Sequence, residues 1–486
     1  MKALIFPALA LLLGGSTNMP TRKKARKPIR RTNGAGSNAD TAPISTLPPT
    51  DGITETGGVE TTGRFIVIFK EGATDPKKVK STLSDVAGLR QITASGDYPD
   101  GAIDADDLAK SKVVQFEKLG VVVVTGEEDV QALAASVSDA DSPILAIEPE
   151  YIAHPTVTEL PLEYLRGYRD AVNQLYGELS RGGTTTAEEA EIAAVLRDTS
   201  QFAWGLQATR VNTSPRSGQG IKVAVLDTGL DLQHPDFRGR SITSRSFVSG
   251  VTVQDIHGHG THCIGTALGP QLPATGVRRY GVAFGAQIFV GKVFNNRQPR
   301  PGAATADVIA GIEWAVLNGC RVVSMSLGVA IDQKIQQYEI PIRRALQAGT
   351  LVVAAAGNNA QRPQNAGFVE PPANADAAMA VGAIDRRLRI AEFSARSSRQ
   401  TGNGGLVNIA GPGVAVFSSL PVSRGSHGFL DGTSMATPHV AGIAALWAQA
   451  TGESGLALWN RLLQTVRPLN LSSADVGAGL VQAPQS

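Results

Sequence analysis

The sequence predicts an α/β fold in its second half, a mostly parallel sheet with helices on both faces, preceded by a small α+β unit. Three observations carry this. Apolar runs of buried-strand type recur at Ile221–Leu226, Gln287–Val293, Val322–Leu327 and Leu351–Ala356. Helical candidates at Ala306–Leu317, Tyr338–Ala348 and Pro438–Ala450 fall between or after them. Strands that alternate with helices in this way form a parallel sheet covered on both faces. The third observation is a separate group of strand and helix signals well upstream of these runs.

The elements follow in chain order. Residues 1–16 carry Lys2, the apolar run Ala3–Leu13, then Gly14, Gly15 and Ser16. That resembles a short signal peptide and is too short to span a membrane. The basic cluster from Arg22 to Arg31 fits export poorly, since positive charge favours the cytoplasmic side; Met19 is an alternative start. Export is the expectation, a cytoplasmic protein with a basic arm its alternative. Residues 17–62 are rich in Ser, Thr, Gly, Pro and Asn and read as a disordered linker. In the next unit, 63–155, Arg64–Lys70 and Gly120–Gly126 give strand signals, and Ile144–Ile152 closes the unit as a third strand. Asp75 opens a helix to Val86 as its N-cap, and Glu127–Val137 has helical spacing. Residues 156–200 read as a helical spacer without chemistry, and 201–486 as the α/β domain.

Charge excludes one class of partner. Lys and Arg number 45 against 43 Asp and Glu, so the net charge of +2 predicts no nucleic-acid partner. The excess is local to Arg22–Arg31, whose simplest reading is a solvated tail. The only cysteines, Cys263 and Cys320, are neither a disulfide framework nor spaced as metal ligands.

Three segments of the α/β domain suggest chemistry. Val223-Ala-Val-Leu-Asp227-Thr-Gly places an aspartate at the carboxyl end of a strand, where open α/β sheets hold their sites. Alone it reads equally as a turn. Asp255-Ile-His257-Gly-His259-Gly-Thr-His262 gathers three of the chain's seven histidines, which would also suit a metal. No HExxH pattern supports that rival. Asp431-Gly-Thr-Ser434-Met-Ala-Thr-Pro-His439 puts a serine at the start of a helix, either as a mere N-cap or where free N–H groups can face developing negative charge. Pro438 falls in that helix's first turns, where a missing N–H costs little.

Taken together, these segments resemble the motifs of the subtilisin-like serine peptidases, the subtilase family, nearly letter for letter and in the same order. The resemblance implies a serine endopeptidase acting on polypeptides, with Asp227 orienting His259, His259 as general base and acid, and Ser434 as nucleophile. Asn358, in Ala354-Ala-Ala-Gly-Asn358, matches the side-chain donor to the oxyanion. Ser326, Leu327 and Gly328 match the strand that pairs with substrate. Ala354, Ala355, Ala356 and Gly357 match the opposite wall of the pocket for the residue before the scissile bond; free of charges, that wall implies apolar or mixed side chains. His262 and His439 are read as structural. Cys263 resembles the cysteine beside the catalytic histidine in the proteinase K branch, which implies sensitivity to mercurials. Residues 63–155 resemble the family's ferredoxin-like propeptide, an intramolecular inhibitor, with first cleavage expected after about His154.

The chemistry needs no cofactor. The family's strong calcium site implies Asp236 as a weak metal candidate, but the loop Gly269–Val277 lacks most of the oxygen donors calcium prefers. Within it, Leu272-Pro-Ala-Thr-Gly276 matches a sortase signal but has no apolar tail, so no membrane anchor is expected. The chain is expected to be a monomer. The alternative function is a catalytically silent binding protein on the same fold.

Overall fold

A computed structural model describes residues 54–56, 59–137, 139, 141–156, 196–297, 300–398 and 405–486. The leader, most of the linker and most of the spacer lie outside the described residues.

The first unit contains β1 (Thr54–Thr56), β2 (Val59–Phe69), α1 (Pro76–Ala87), β3 (Thr93–Ala94), α2 (Ala105–Lys110), β4 (Val113–Phe116), β5 (Val121–Thr125), α3 (Glu127–Val137) and β6 (Ile144–Pro155). Asp75 caps α1, accepting from the Lys77 and Lys78 amides at 3.1 Å each. Strand β2 begins at Val59, inside the expected linker, because its polar start pairs with β1 and, at Thr61, with Tyr151. Strand alternation divides the apolar residues of this sheet between two cores. Phe65, Val67 and Phe69 face α1 and α3 with Val79, Leu83, Val130 and Leu133. Ile66, Ile68, Val121 and Val123 face the larger unit, in one core with Trp314 and Tyr338.

The larger unit adds α4 (Trp204–Ala208), β7 (Lys222–Asp227), β8 (Ile242–Ser246), α5 (His259–Leu268), β9 (Gln287–Lys292), β10 (Ala303–Ala304), α6 (Thr305–Leu317), β11 (Val322–Met325), β12 (Leu327–Gly328), α7 (Gln336–Gln347) and β13 (Leu351–Ala355). It ends with β14 (Ala378–Ile384), β15 (Ile409–Pro412), β16 (Val416–Ser419), β17 (His427–Leu430), α8 (Thr433–Thr451), α9 (Gly455–Gln464) and α10 (Ser473–Val476). Seven strands form a parallel sheet in the order β15-β14-β13-β11-β7-β9-β8, which bears out the predicted α/β class. Helix α8 starts at Thr433, five residues before the predicted Pro438. Pro438 therefore sits inside the helix, where its missing N–H frees the Ser434 carbonyl. Ser326 Oγ donates to that carbonyl at 2.9 Å.

Strand β6 joins the two units. Beyond its pairing with β2 it runs antiparallel to β10 (Ala303↔Ala153) and then to β12 (Leu327↔Pro155, Gly328↔His154). Two carboxylates on this strand cap helices of the larger unit. Glu148 accepts from the Gln336 and Gln337 amides at 2.8 and 2.9 Å, at the start of α7. Glu150 accepts from Ala306 N at 2.8 Å, at the start of α6, and pairs with Arg64 at 2.6 Å. Each offers negative charge to unpaired N–H groups at the positive end of a helix. In the other direction Glu313 of α6 accepts from Lys118 N at 2.7 Å and Leu119 N at 3.3 Å.

Candidate active site

Asp227 ends β7 and His259 opens α5, so both lie at the carboxyl edge of the parallel sheet. Asp255 fixes the turn between them. Its carboxylate accepts from Gly258 N (2.8 Å), Thr261 N (2.9 Å) and Thr228 Oγ1 (3.0 Å), tying the start of α5 to the end of β7. Close approach is required here: a Cβ on Gly260 would fall 2.3 Å from the Gly229 carbonyl oxygen. The result is a hydrogen bond of 2.7 Å from His259 Nδ1 to Asp227 Oδ1, with both side chains buried. Burial alone pulls the His259 pKa down, but the adjoining Asp227 carboxylate outweighs it and holds the imidazole well above its ordinary value.

Ser434 is the second residue of α8. Its Oγ lies 2.7 Å from Thr156 Oγ1 and donates to Ser326 O at 3.2 Å. His259 Nε2 is buried and has no hydrogen-bond partner among the described residues, so the structure joins Asp227 to His259 but not His259 to Ser434. Cys263 Sγ contacts both residues, 3.6 Å from Ser434 O and 3.9 Å from His259 Nδ1. Burial pushes the Cys263 thiol up, so it is a poor thiolate at neutral pH. Cys263 and Cys320 are both free and buried.

The chain itself occupies the cleft. Thr156 N donates to Ser326 O at 3.3 Å. Thr156 O accepts from Asn358 Nδ2 at 2.7 Å and from Ser434 N at 3.4 Å. Asn358 cannot flip without loss, because its Oδ1 accepts from Thr433 N (3.0 Å) and Thr433 Oγ1 (2.9 Å). The carbonyl poised between these donors belongs to Thr156, two residues beyond the expected His154. Sequence reading ended the closing strand at Ile152, whereas pairing with β10 and β12 carries it on to Pro155.

Ser326, Leu327 and Gly328 lie along residues 154–156. Of the second wall, Ala354, Ala355 and Ala356 are buried, and the first two pair with Ala380 and Val381 of β14. The cavity beside Thr156 is lined instead by Asn359 and Glu370, with Asn358 and Gly328. Glu370 corrects the expectation of an uncharged wall. It follows Asn358 by twelve residues in a loop without strand or helix periodicity, so nothing local placed it there.

The three clustered histidines do not share a ligand. His262 bonds Val416 O at 3.0 Å, and burial beside His259 lowers its pKa to about 3. His257 stands 6.2 Å from His259, ring to ring. His439 bonds Met435 O at 2.8 Å, within α8. Asp236 does not fit a calcium site: its carboxylate accepts from Tyr280 Oη (2.7 Å), His427 Nε2 (2.9 Å) and Thr275 N (3.2 Å). Those neighbours are hydrogen-bond donors, where a hard cation needs oxygen acceptors. Among the described residues, no helix is long and apolar enough to cross a membrane.

The larger unit is similar to known proteins. Residues 218–479 match the profile of the subtilase family. Subtilisin Savinase of Lederbergia lenta is 40% identical over 286 residues, covering 58% of this chain and 96% of that protein. M-protease of Shouchella clausii is 38% identical over 302 residues, 61% of this chain and 72% of that protein. The solved structure of S41 psychrophilic protease superposes with a TM-score of 0.50 at 31% identity, covering 59% of this chain and all of that one.

Proposed function

The chain belongs to the subtilase family and is a subtilisin-like serine peptidase, and from that premise we propose that Asp227, His259 and Ser434 are its catalytic triad and that its first substrate is its own Thr156–Val157 bond. The observation that carries this is the Thr156 carbonyl, held by Asn358 Nδ2 and Ser434 N against the Ser434 side chain. In the reaction, Ser434 Oγ turns from Thr156 Oγ1 to His259 Nε2, gives up its proton there and adds to the Thr156 carbonyl carbon. The oxygen gains negative charge facing its two donors. The Asp227 carboxylate holds the imidazole in place and stabilises the imidazolium that forms. His259 then protonates the Val157 nitrogen as the peptide C–N bond breaks, leaving residues up to Thr156 as an ester on Ser434. Water, activated by the same imidazole, releases them.

After the cut, residues 152–156 still fill the cleft, so the small unit acts as an inhibitor until it leaves. Polypeptide substrates then take its place between β10 and β12, bound mainly through backbone hydrogen bonds. Cys263, buried under His259, is the proposed point of attack by mercurials, and the signal-like leader supports export. Expression of the full chain, followed by fluorophosphonate labelling and N-terminal sequencing, tests the whole reading. The expected product labels at Ser434 and begins at Val157. A chain that neither labels nor shortens is a silent binding protein, and a new terminus elsewhere refutes the assigned bond.

The pH dependence follows from His259. Protonated imidazole cannot take the Ser434 proton, so activity requires the neutral form. Because the folded-state pKa is raised, the acid limb of kcat/KM should lie above the ordinary histidine value of about 6.5. Activity rises with pH through that limb. A profile flat down to about pH 5 would remove His259 from the base role.

A further inference from the structure

The cavity beside Thr156 measures about 200 Å³, and the short Thr156 side chain leaves it largely open. Glu370 lies in its wall, 8% exposed. Glu370 Oε1 accepts from Asn359 Nδ2 at 2.8 Å. Oε2 has no hydrogen-bond partner among the described residues. Its place is defined by Gly328: a Cβ there would fall 2.2 Å from Glu370 Oε2 and 3.0 Å from Thr156 Cγ2. Glycine is thus the residue that lets the substrate side chain and the carboxylate share one slot. Gly357 does the same from the other side, since its Cβ would fall 3.0 Å from Glu370 Cδ.

We propose that Glu370 is a specificity residue that selects lysine or arginine immediately before the scissile bond. The proposal rests on the assignment of Ser434 and Thr156 above. A carboxylate with one oxygen fixed by Asn359 and the other unpartnered offers a single strong acceptor to an entering cation. Leucine or phenylalanine would instead leave Oε2 without a partner. Thr156 in the chain's own cleavage site is no contradiction, because an intramolecular cut proceeds at high effective concentration and needs no favourable side chain.

Burial raises the pKa of Glu370 to about 7, against the Asn359 hydrogen bond and the positive Arg300 at the cavity mouth. His154 also lines the cavity, but departs with the small unit. The preference for basic residues should therefore strengthen as pH rises and Glu370 ionises.

The test uses the full chain after self-processing, with active sites counted by fluorophosphonate, and peptides that differ only in the residue before the scissile bond. Lysine and arginine are expected to exceed leucine and phenylalanine by about 10-fold or more in kcat/KM near pH 8. Glu370→Gln should cost the basic peptides about 30-fold or more and spare the apolar ones. The ratio of basic to apolar rates cancels the titration of His259. It should rise between about pH 6 and 8 in the parent and stay flat in Glu370→Gln. Arg300→Ala, at an exposed position, removes a cation that competes with the substrate for Glu370 and should raise the ratio near about pH 9, where Glu370 is ionised with or without Arg300, which keeps the test open should Glu370→Gln fold poorly. Leucine or phenylalanine preferred, with a ratio indifferent to Glu370→Gln or to Arg300→Ala, overturns the proposal alone. Failure to label with fluorophosphonate overturns the assignment of Ser434, and this proposal with it.

Discussion

Replacing Ser434 with alanine is expected to lower turnover by about 10⁶-fold, a magnitude known from subtilisin itself, and to leave the chain uncut. Two losses coincide in that variant. Peptide hydrolysis loses its nucleophile, and the small unit stays tethered with residues 152–156 in the cleft. The variant should run at full length on a gel while the parent loses its first 156 residues. Folding should survive, because the Ser434 backbone N–H to Thr156 O and the carbonyl that accepts from Ser326 Oγ are both retained. The hydroxyl's bonds to Thr156 and Ser326 are lost, at a net cost of about 1 kcal/mol each or less. A Ser434→Ala chain that still shortens at Val157, without added enzyme, removes Ser434 from the nucleophile role.

Asn358→Ala comes next in size, with an expected loss of about 10²–10³ in kcat and little change in KM, again a magnitude drawn from subtilisin. The asymmetry follows from where charge develops. A neutral carbonyl gains little from the Asn358 Nδ2 contact, whereas the oxyanion of the intermediate gains much. Some catalysis survives through Ser434 N. Truncation also strips an acceptor from Thr433 N and Oγ1 at the start of α8, a structural loss of about 1–3 kcal/mol that thermal unfolding would register. Asn358→Asp separates the two effects, since it keeps the acceptor and removes the donor. It should lose at least as much kcat while retaining more stability. A fall confined to KM in both variants would mean that Asn358 binds substrate uniformly and has no special part in the transition state.

The candidate site was legible where its residues stand in short segments of the chain. Asp227-Thr-Gly ends a strand, the histidine segment opens α5 and Gly-Thr-Ser434 opens α8, and the three point to one chemistry only when read together. Asn358 entered from its own short segment, through the family resemblance alone. What stayed hidden acts across the fold. Glu370 gains its meaning from Gly328 and Gly357, which face it from two other segments. Glu148 and Glu150 look like ordinary polar positions of an alternating strand, yet their targets are amides some 190 and 160 residues further on. The strand Ala378–Ile384 carries alanine and glycine in place of the branched residues that usually mark a strand. The last residues of β6 look like a loop because only partners from the other unit make them a strand.

The two capping carboxylates of β6 also bear on the order of assembly. A parallel sheet built from segments far apart in the chain is slow to form, because loop-closure entropy is spent before distant contacts reward it. A compact antiparallel unit has shorter loops to close and can be ready first. Its strand presents Glu148 and Glu150 at a fixed spacing, and α6 and α7 must bring their first turns to those points. The small unit would thus serve as a jig that sets two helices side by side before the strands between them have locked. Once the proposed cut has removed it, an unfolded copy of the larger unit has no such guide. Persistence of the mature enzyme then depends on how rarely it unfolds, more than on how readily it could fold again.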